Sequence, residues 1–233
     1  MLSFIGQFLP LFLQFGLSAA KETVHIAAST IESKIFGYFV IGLSLIAIKA
    51  LMRAKNERMG EQRTDSNDSS PPEFWDVRYT AGETPWDFHG VPAELKAFLK
   101  TSQPGSVLIP GCGTGYEVRA FHEAGWKVTA IDFSPVATER ARASLGGLAS
   151  RVIHGDFFTH DFGSRYFDVI YERTFLCALP PDLWPAYVER MTQLLRPGGK
   201  LVGIFLYGEE HDPPPYPLSL EKVRELFRKN FPS

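Results

Sequence analysis

Residues able to do chemistry gather at Gly111-Cys112-Gly113-Thr114-Gly115, at Asp132-Phe133, at Gly155-Asp156-Phe157 and at Tyr171-Glu172-Arg173. Each group follows a short apolar run bounded by turn residues, the pattern of a buried strand delivering its last residues to one end of a sheet. Three glycines in five residues bend the chain sharply and leave backbone N–H groups open to a ligand. From Tyr116 onward Val118, Ala120, Phe121 and Ala124 share one helical face, so the bend opens onto a helix N-terminus. The next strand, Lys127 to Ile131, ends in Asp132. Strand, glycine loop, helix, strand, acid is the order of a nucleotide-type site, in which the acid accepts hydrogen bonds from ribose hydroxyls. The competing reading is a purely structural turn.

The elements that position these groups alternate strand and helix. Ser134-Pro135 opens a helix towards Leu145, Arg151 to His154 and Phe167 to Tyr171 read as strands, Asp182 to Leu195 as a helix, and Leu201 to Leu206 as the fifth strand. This predicts an α/β fold: a Rossmann-like, doubly wound, mostly parallel sheet with helices on both faces. In such sheets ligands bind beyond the carboxyl ends of the strands, which places the segment Glu172 to Ala178 against the reacting groups, with core as the competing reading for Phe175 and Leu176.

The glycine spacing narrows the ligand. Tyr116 stands where a dinucleotide fingerprint carries its third small residue, which argues against a pyrophosphate. Gly-x-Gly-x-Gly resembles the first motif of class I S-adenosylmethionine-dependent methyltransferases. Upstream, Trp75, Tyr79 and Trp86 read by spacing alone first as core aromatics and only second as faces for a sulfonium cation. Together with Gly82-Glu83-Thr84-Pro85-Trp86-Asp87, they resemble the thiopurine S-methyltransferase family, most closely its plant halide and thiol methyltransferase branch. The resemblance implies S-adenosylmethionine as cofactor, held by Trp75, Tyr79, Trp86, Gly111, Cys112, Gly113, Gly115, Asp132, Phe133, Asp156, Phe157 and Tyr171. A tryptophan is common in the family where Tyr79 stands. The resemblance further implies that Asp156 takes the adenine amino group, with an aromatic on the adenine face. Glu172 and Arg173, matching an acid followed by arginine or tyrosine, become the catalytic candidates. The implied acceptor is a small lipophilic thiol or related soft nucleophile. Thiols titrate near about 8.5, so such a reaction needs little base catalysis.

With 233 residues, 45% of them hydrophobic, the chain has material for one core and an extension. A net charge of -2 gives no nucleic-acid surface. Cys112 and Cys177 are the only cysteines and lack metal spacing. The expected organisation is hydrophobic membrane-anchor helices over 1–58, a polar linker over 59–72 and the methyltransferase domain over 73–233. Met1 to Ala20 has no charge, and Ile35 to Met52 has only Lys49. The second run reaches about 27 Å as a helix, close to the ~30 Å of a bilayer core. Lys49, Arg53, Lys55, Arg58 and Arg63 flank it and place the catalytic domain on the cytoplasmic side of a lipid bilayer. A packed helical hairpin, or a start at Met52 or Met59, is the alternative. Too few residues follow the last helix for the antiparallel hairpin that usually closes the class I sheet, so that hairpin is expected to be missing. Gly208 to Pro217 is expected to loop over the site's mouth.

Overall fold

The computed structural model describes residues 9–16 (backbone only), 69–164, 166–208 and 213–228. In chain order the elements are β1 (Leu9–Gly16), α1 (Pro72–Ala81), α2 (Ala93–Thr101), β2 (Ser106–Pro110), α3 (Tyr116–Glu123), β3 (Lys127–Asp132) and α4 (Pro135–Leu145). There follow β4 (Val152–His154), β5 (Phe167–Arg173), α5 (Trp184–Leu194), β6 (Leu195–Tyr207) and α6 (Leu220–Arg228).

The six strands lie in the order β1-β6-β5-β2-β3-β4, and β2 to β6 pair in parallel. The winding reverses between β2 and β5, which opens a crevice at their carboxyl ends. Alternation along the strands sorts the core into two layers. Val107, Ile109, Val169 and Tyr171 pack with α2, α3 and α4, whereas Leu108, Ile170 and Leu201 face α5 and α6. This is the predicted doubly wound, Rossmann-like sheet.

The N-terminal run is a correction. Over Leu9–Gly16 the chain is a strand, not a membrane helix, and it pairs antiparallel with β6 from Leu9 opposite Tyr207 to Gly16 opposite Lys200. Without it β6 would present an unpaired ladder along its length. Pro10, which donates no hydrogen bond, is tolerated because β1 is itself the edge. The proposed span Ile35 to Met52 lies outside the described residues, as does most of the linker. Among the described residues no helix is long and apolar enough to cross a membrane. β6 starts at Leu195, earlier than expected, and takes in the Pro197-Gly198-Gly199 turn residues through a register shift against β5.

Candidate active site

The glycine loop is built by local rules. Gly111, Gly113 and Gly115 have φ of +56°, +50° and +79°, a region that costs side-chain-bearing residues about 1–2 kcal/mol each. Two of them are also crowded. A Cβ on Gly113 would lie 2.8 Å from the Tyr79 hydroxyl, and one on Gly111 would strike the Phe175 ring. The loop is therefore clasped between an aromatic from α1 and one from the segment after β5. Gly115 caps α3, and the Gly115 N–H donates to the Cys112 carbonyl at 2.9 Å.

Asp132 ends β3 beneath this loop. One carboxylate oxygen accepts from Gly113 N at 2.9 Å and the other from Ser134 N at 3.0 Å. Burial raises its pKa against the pull of those N–H donors. Each oxygen keeps a lone pair for a further donor, as a ribose diol requires. Ser134 caps α4, accepting from Ala137 N at 3.0 Å, and also makes a very short hydrogen bond to Asp76 on α1.

Asp76 was not anticipated from the sequence, yet it fixes α1 over the cleft. A second tether holds the start of the helix: Trp75 Nε1 donates to Ser69 O at 2.9 Å, and Ser69 Oγ donates to Ala178 O at 2.7 Å. Between the tethers stand the three aromatics, with ring centroids 5.3 Å apart for Trp75 and Trp86 and 5.9 Å for Tyr79 and Trp86, both edge-on. The structure thus brings the three together, beside the glycine loop. Burial drives the Tyr79 hydroxyl pKa upward, helped by the charge of Asp132, and keeps it a neutral phenol.

Other expected residues stand differently. The Cys112 side chain is buried in the α3-side core, so only its backbone faces the bend. Tyr171 is fully buried against Phe121 on that same side, with centroids 5.4 Å apart, and belongs to the core. The cause is the period of two: Tyr171 and Glu172 leave β5 on opposite faces. Asp156 is exposed and engages its own turn, accepting from Phe158 N at 2.8 Å and Thr159 Oγ1 at 3.1 Å. Phe157 is buried with its ring centroid 5.5 Å from that of Phe175, and the half-buried Phe133 meets His154 Nε2 through its carbonyl at 3.1 Å.

The two catalytic candidates are turned inward. Glu172 is fully buried; its Oε2 accepts from Phe175 N at 2.7 Å and Leu176 N at 3.0 Å, and its Oε1 has no partner. Burial pushes its pKa up to about 8, so the carboxyl is largely protonated at neutral pH. Gly203 makes room for it, since a Cβ there would meet Glu172 Cγ at 2.9 Å. Arg173 donates to Gly90 O at 2.9 Å and pairs with Glu117 on α3. Glu117, buried and invisible to motif reasoning, thereby holds the guanidinium that ties the loop between α1 and α2 to β5. Beside these residues Tyr216 N donates to Cys177 O at 2.7 Å, which brings the Pro213–Pro217 segment next to the turn after β5.

A cleft with glycine-rich backbone, an acid with spare lone pairs and aromatic faces fits a nucleoside bearing a cation. Comparison with known proteins agrees. Residues 70–232 match the family model for thiopurine S-methyltransferase. A probable thiol methyltransferase 2 of Arabidopsis thaliana is 36% identical over 160 residues, which is 65% of this chain and 70% of that one. A thiopurine S-methyltransferase of Vibrio parahaemolyticus is 27% identical over 176 residues, 66% of this chain and 81% of that one. In fold the chain is similar to Burkholderia thailandensis 1,6-didemethyltoxoflavin-N1-methyltransferase, solved with S-adenosylhomocysteine bound, at a TM-score of 0.55 and 24% identity over 68% of this chain and 75% of that one. The chain belongs to the thiopurine S-methyltransferase family and is an S-adenosylmethionine-dependent methyltransferase.

Proposed function

We propose that the chain methylates the sulfur of a small lipophilic thiol, or a related soft nucleophile, by direct in-line displacement. The observation that carries this reading is the aromatic cluster of Trp75, Tyr79 and Trp86 standing over the glycine loop, in a chain 36% identical to a plant thiol methyltransferase. S-adenosylmethionine supplies a methyl group already activated on a sulfonium. The chain's own residues have three tasks. Asp132 accepts from the nucleoside's hydroxyls, and the side-chain-free bend of the glycine loop lets its tail lie close to the backbone. The aromatic faces attract positive charge and exclude water, which strengthens that attraction. The turn after β5 lines the approach of the acceptor, so that orientation lowers the barrier.

Glu172 and Arg173 act in this scheme as positioning residues. Glu172 nails down the backbone of Phe175 and Leu176, and Arg173 holds the loop that carries Trp86. No strong base is demanded of them, because a thiol ionises readily. The test is an acceptor panel: the full chain, in detergent, with labelled S-adenosylmethionine and thiols, phenols and amines. Methylation of thiols at least tenfold faster than of the others is expected. Preferred transfer to phenols or amines would overturn the sulfur assignment.

We further propose a tether to the cytoplasmic face of a membrane through the apolar run Ile35 to Met52, on the ground of its near-absence of charge and the basic cluster behind it. The full chain is expected to stay in the membrane pellet after alkaline carbonate washing. Quantitative release into the supernatant would refute the tether.

A further inference from the structure

Between α1 and α2 lies the most exposed large apolar side chain among the described residues, Phe88, at 75% exposure. A phenyl ring in water is unfavourable, and a loop free to move would fold it down. Here the loop is pinned. Asp87 Oδ1 accepts from His89 N at 2.7 Å, and Asp87 Oδ2 accepts a long hydrogen bond from Thr114 Oγ1 of the glycine loop at 3.4 Å. His89 is held in the left-handed region at φ +55°, a conformation that a non-glycine residue keeps only under constraint. Gly90 O accepts from Arg173, and the Arg173 guanidinium lies 5.6 Å from the Phe88 ring centroid.

These contacts fix where the ring stands. Thr114 follows β2 and Arg173 ends β5, the two strands between which the winding reverses, so Phe88 stands beside their carboxyl ends, the side on which such sheets bind ligands. Trp86, two residues earlier, belongs to the aromatic wall beside the glycine loop. Arg173 has its charge offset by Glu117, so it backs the ring and does not draw an anion. Thr174, the next residue, is also left-handed, at φ +59°, and leads into Phe175, which packs on Gly111. Constraint on both sides of the crevice thus keeps an aromatic face turned outward beside the donor wall.

We propose that Phe88 selects the acceptor: its ring takes the apolar body of an aryl or alkyl thiol, while Arg173 and Glu117 hold it in place. This rests on the thiol-methylation reading and adds the residue that distinguishes a lipophilic thiol from a bare one.

The test compares benzenethiol with hydrosulfide as acceptors for the full chain and its Phe88→Ala and Phe88→Leu variants. Because Phe88 is largely exposed, neither variant endangers folding. In Phe88→Ala the ratio of kcat/KM for benzenethiol to that for hydrosulfide is expected to fall by on the order of tenfold, the usual scale for a lost apolar contact. Phe88→Leu should retain most of the ratio. A ratio within twofold of the parent in Phe88→Ala would overturn the proposal while leaving thiol methylation intact. If the parent chain methylates neither acceptor, the proposal and the sulfur reading fall together.

Discussion

Gly113→Val weakens S-adenosylmethionine binding by at least about a hundredfold while the sheet stays folded. Three effects combine at that position. The backbone is at φ +50°, where an L side chain costs about 1–2 kcal/mol and a β-branched one more. The new Cβ would lie 2.8 Å from the Tyr79 hydroxyl, and Tyr79, only 6% exposed and packed on Trp86, has nowhere to retreat. The strain is therefore relieved by moving the loop. That movement unhooks the Gly113 N–H from Asp132, so the acid loses the bond that aims it. A hundredfold loss corresponds to about 2.7 kcal/mol. Calorimetric titration with S-adenosylmethionine measures it, and Gly147→Ala serves as the control because open space surrounds Gly147. Binding within tenfold of the parent in Gly113→Val would show that the glycine loop does not hold the cofactor.

Glu172→Gln removes most of the loss of stability between pH 5 and pH 9. The Glu172 carboxyl is fully buried, and its pKa is pushed up from 4.5 to about 8. Between those values the unfolded chain releases a proton that the folded chain keeps, so the sign is fixed. The stabilisation is complete below about 4.5, declines as pH rises and is gone above about 8. Its full size is at most roughly 5 kcal/mol, from 1.36 kcal/mol per pH unit of displacement. Asp132, also raised by burial, changes stability with pH in the same direction, and it is common to both proteins, so the comparison of parent with variant isolates Glu172. Glutamine keeps a carbonyl oxygen for Phe175 N and Leu176 N and cannot ionise. At pH 9 the variant should melt higher than the parent by several degrees and by at most roughly 20, given roughly 2–4 degrees per kcal/mol for a domain of this size. At pH 5 the two should lie close together. Glu172→Leu separates the roles: it cannot accept either N–H, and two buried donors left alone cost about 1–3 kcal/mol each. Parallel pH profiles for the parent and the glutamine variant would mean that Glu172 is ionised in the fold and that its buried carboxylate is stabilised by other means.

Both expectations turn on features that differ in how they were legible. The glycine loop, the acid that ends β3 and the Ser134-Pro135 cap are local signals: each is set by a few neighbouring φ/ψ values or one nearby hydrogen bond, and each was read correctly. The aromatic trio was legible only as a resemblance, because spacing alone favours a core. Tyr171 shows a limit of motif reading, since adjacency to Glu172 in sequence suggested adjacency in the site whereas the pleat sends the two to opposite faces. At Asp156 the fold adds what spacing does not show, the hydrogen bonds by which the carboxylate holds its own turn.

The amino-acid sequence by itself determined the alternation of elements, the parallel sheet, the glycine bend after β2 and the acid that ends β3 beneath it, all of which follow from periodicity and turn chemistry over a dozen residues. Only the tertiary structure decided what Leu9–Gly16 becomes, because an uncharged run is equally suited to lipid and to a sheet edge until β6 offers it a partner. It also decided that Arg173 meets Glu117 and Gly90, that Asp76 meets Ser134, and that the Glu172 carboxyl is buried with its pKa raised. Those facts depend on groups brought together from distant parts of the chain and on how completely water is excluded between them, and neither is written in local spacing.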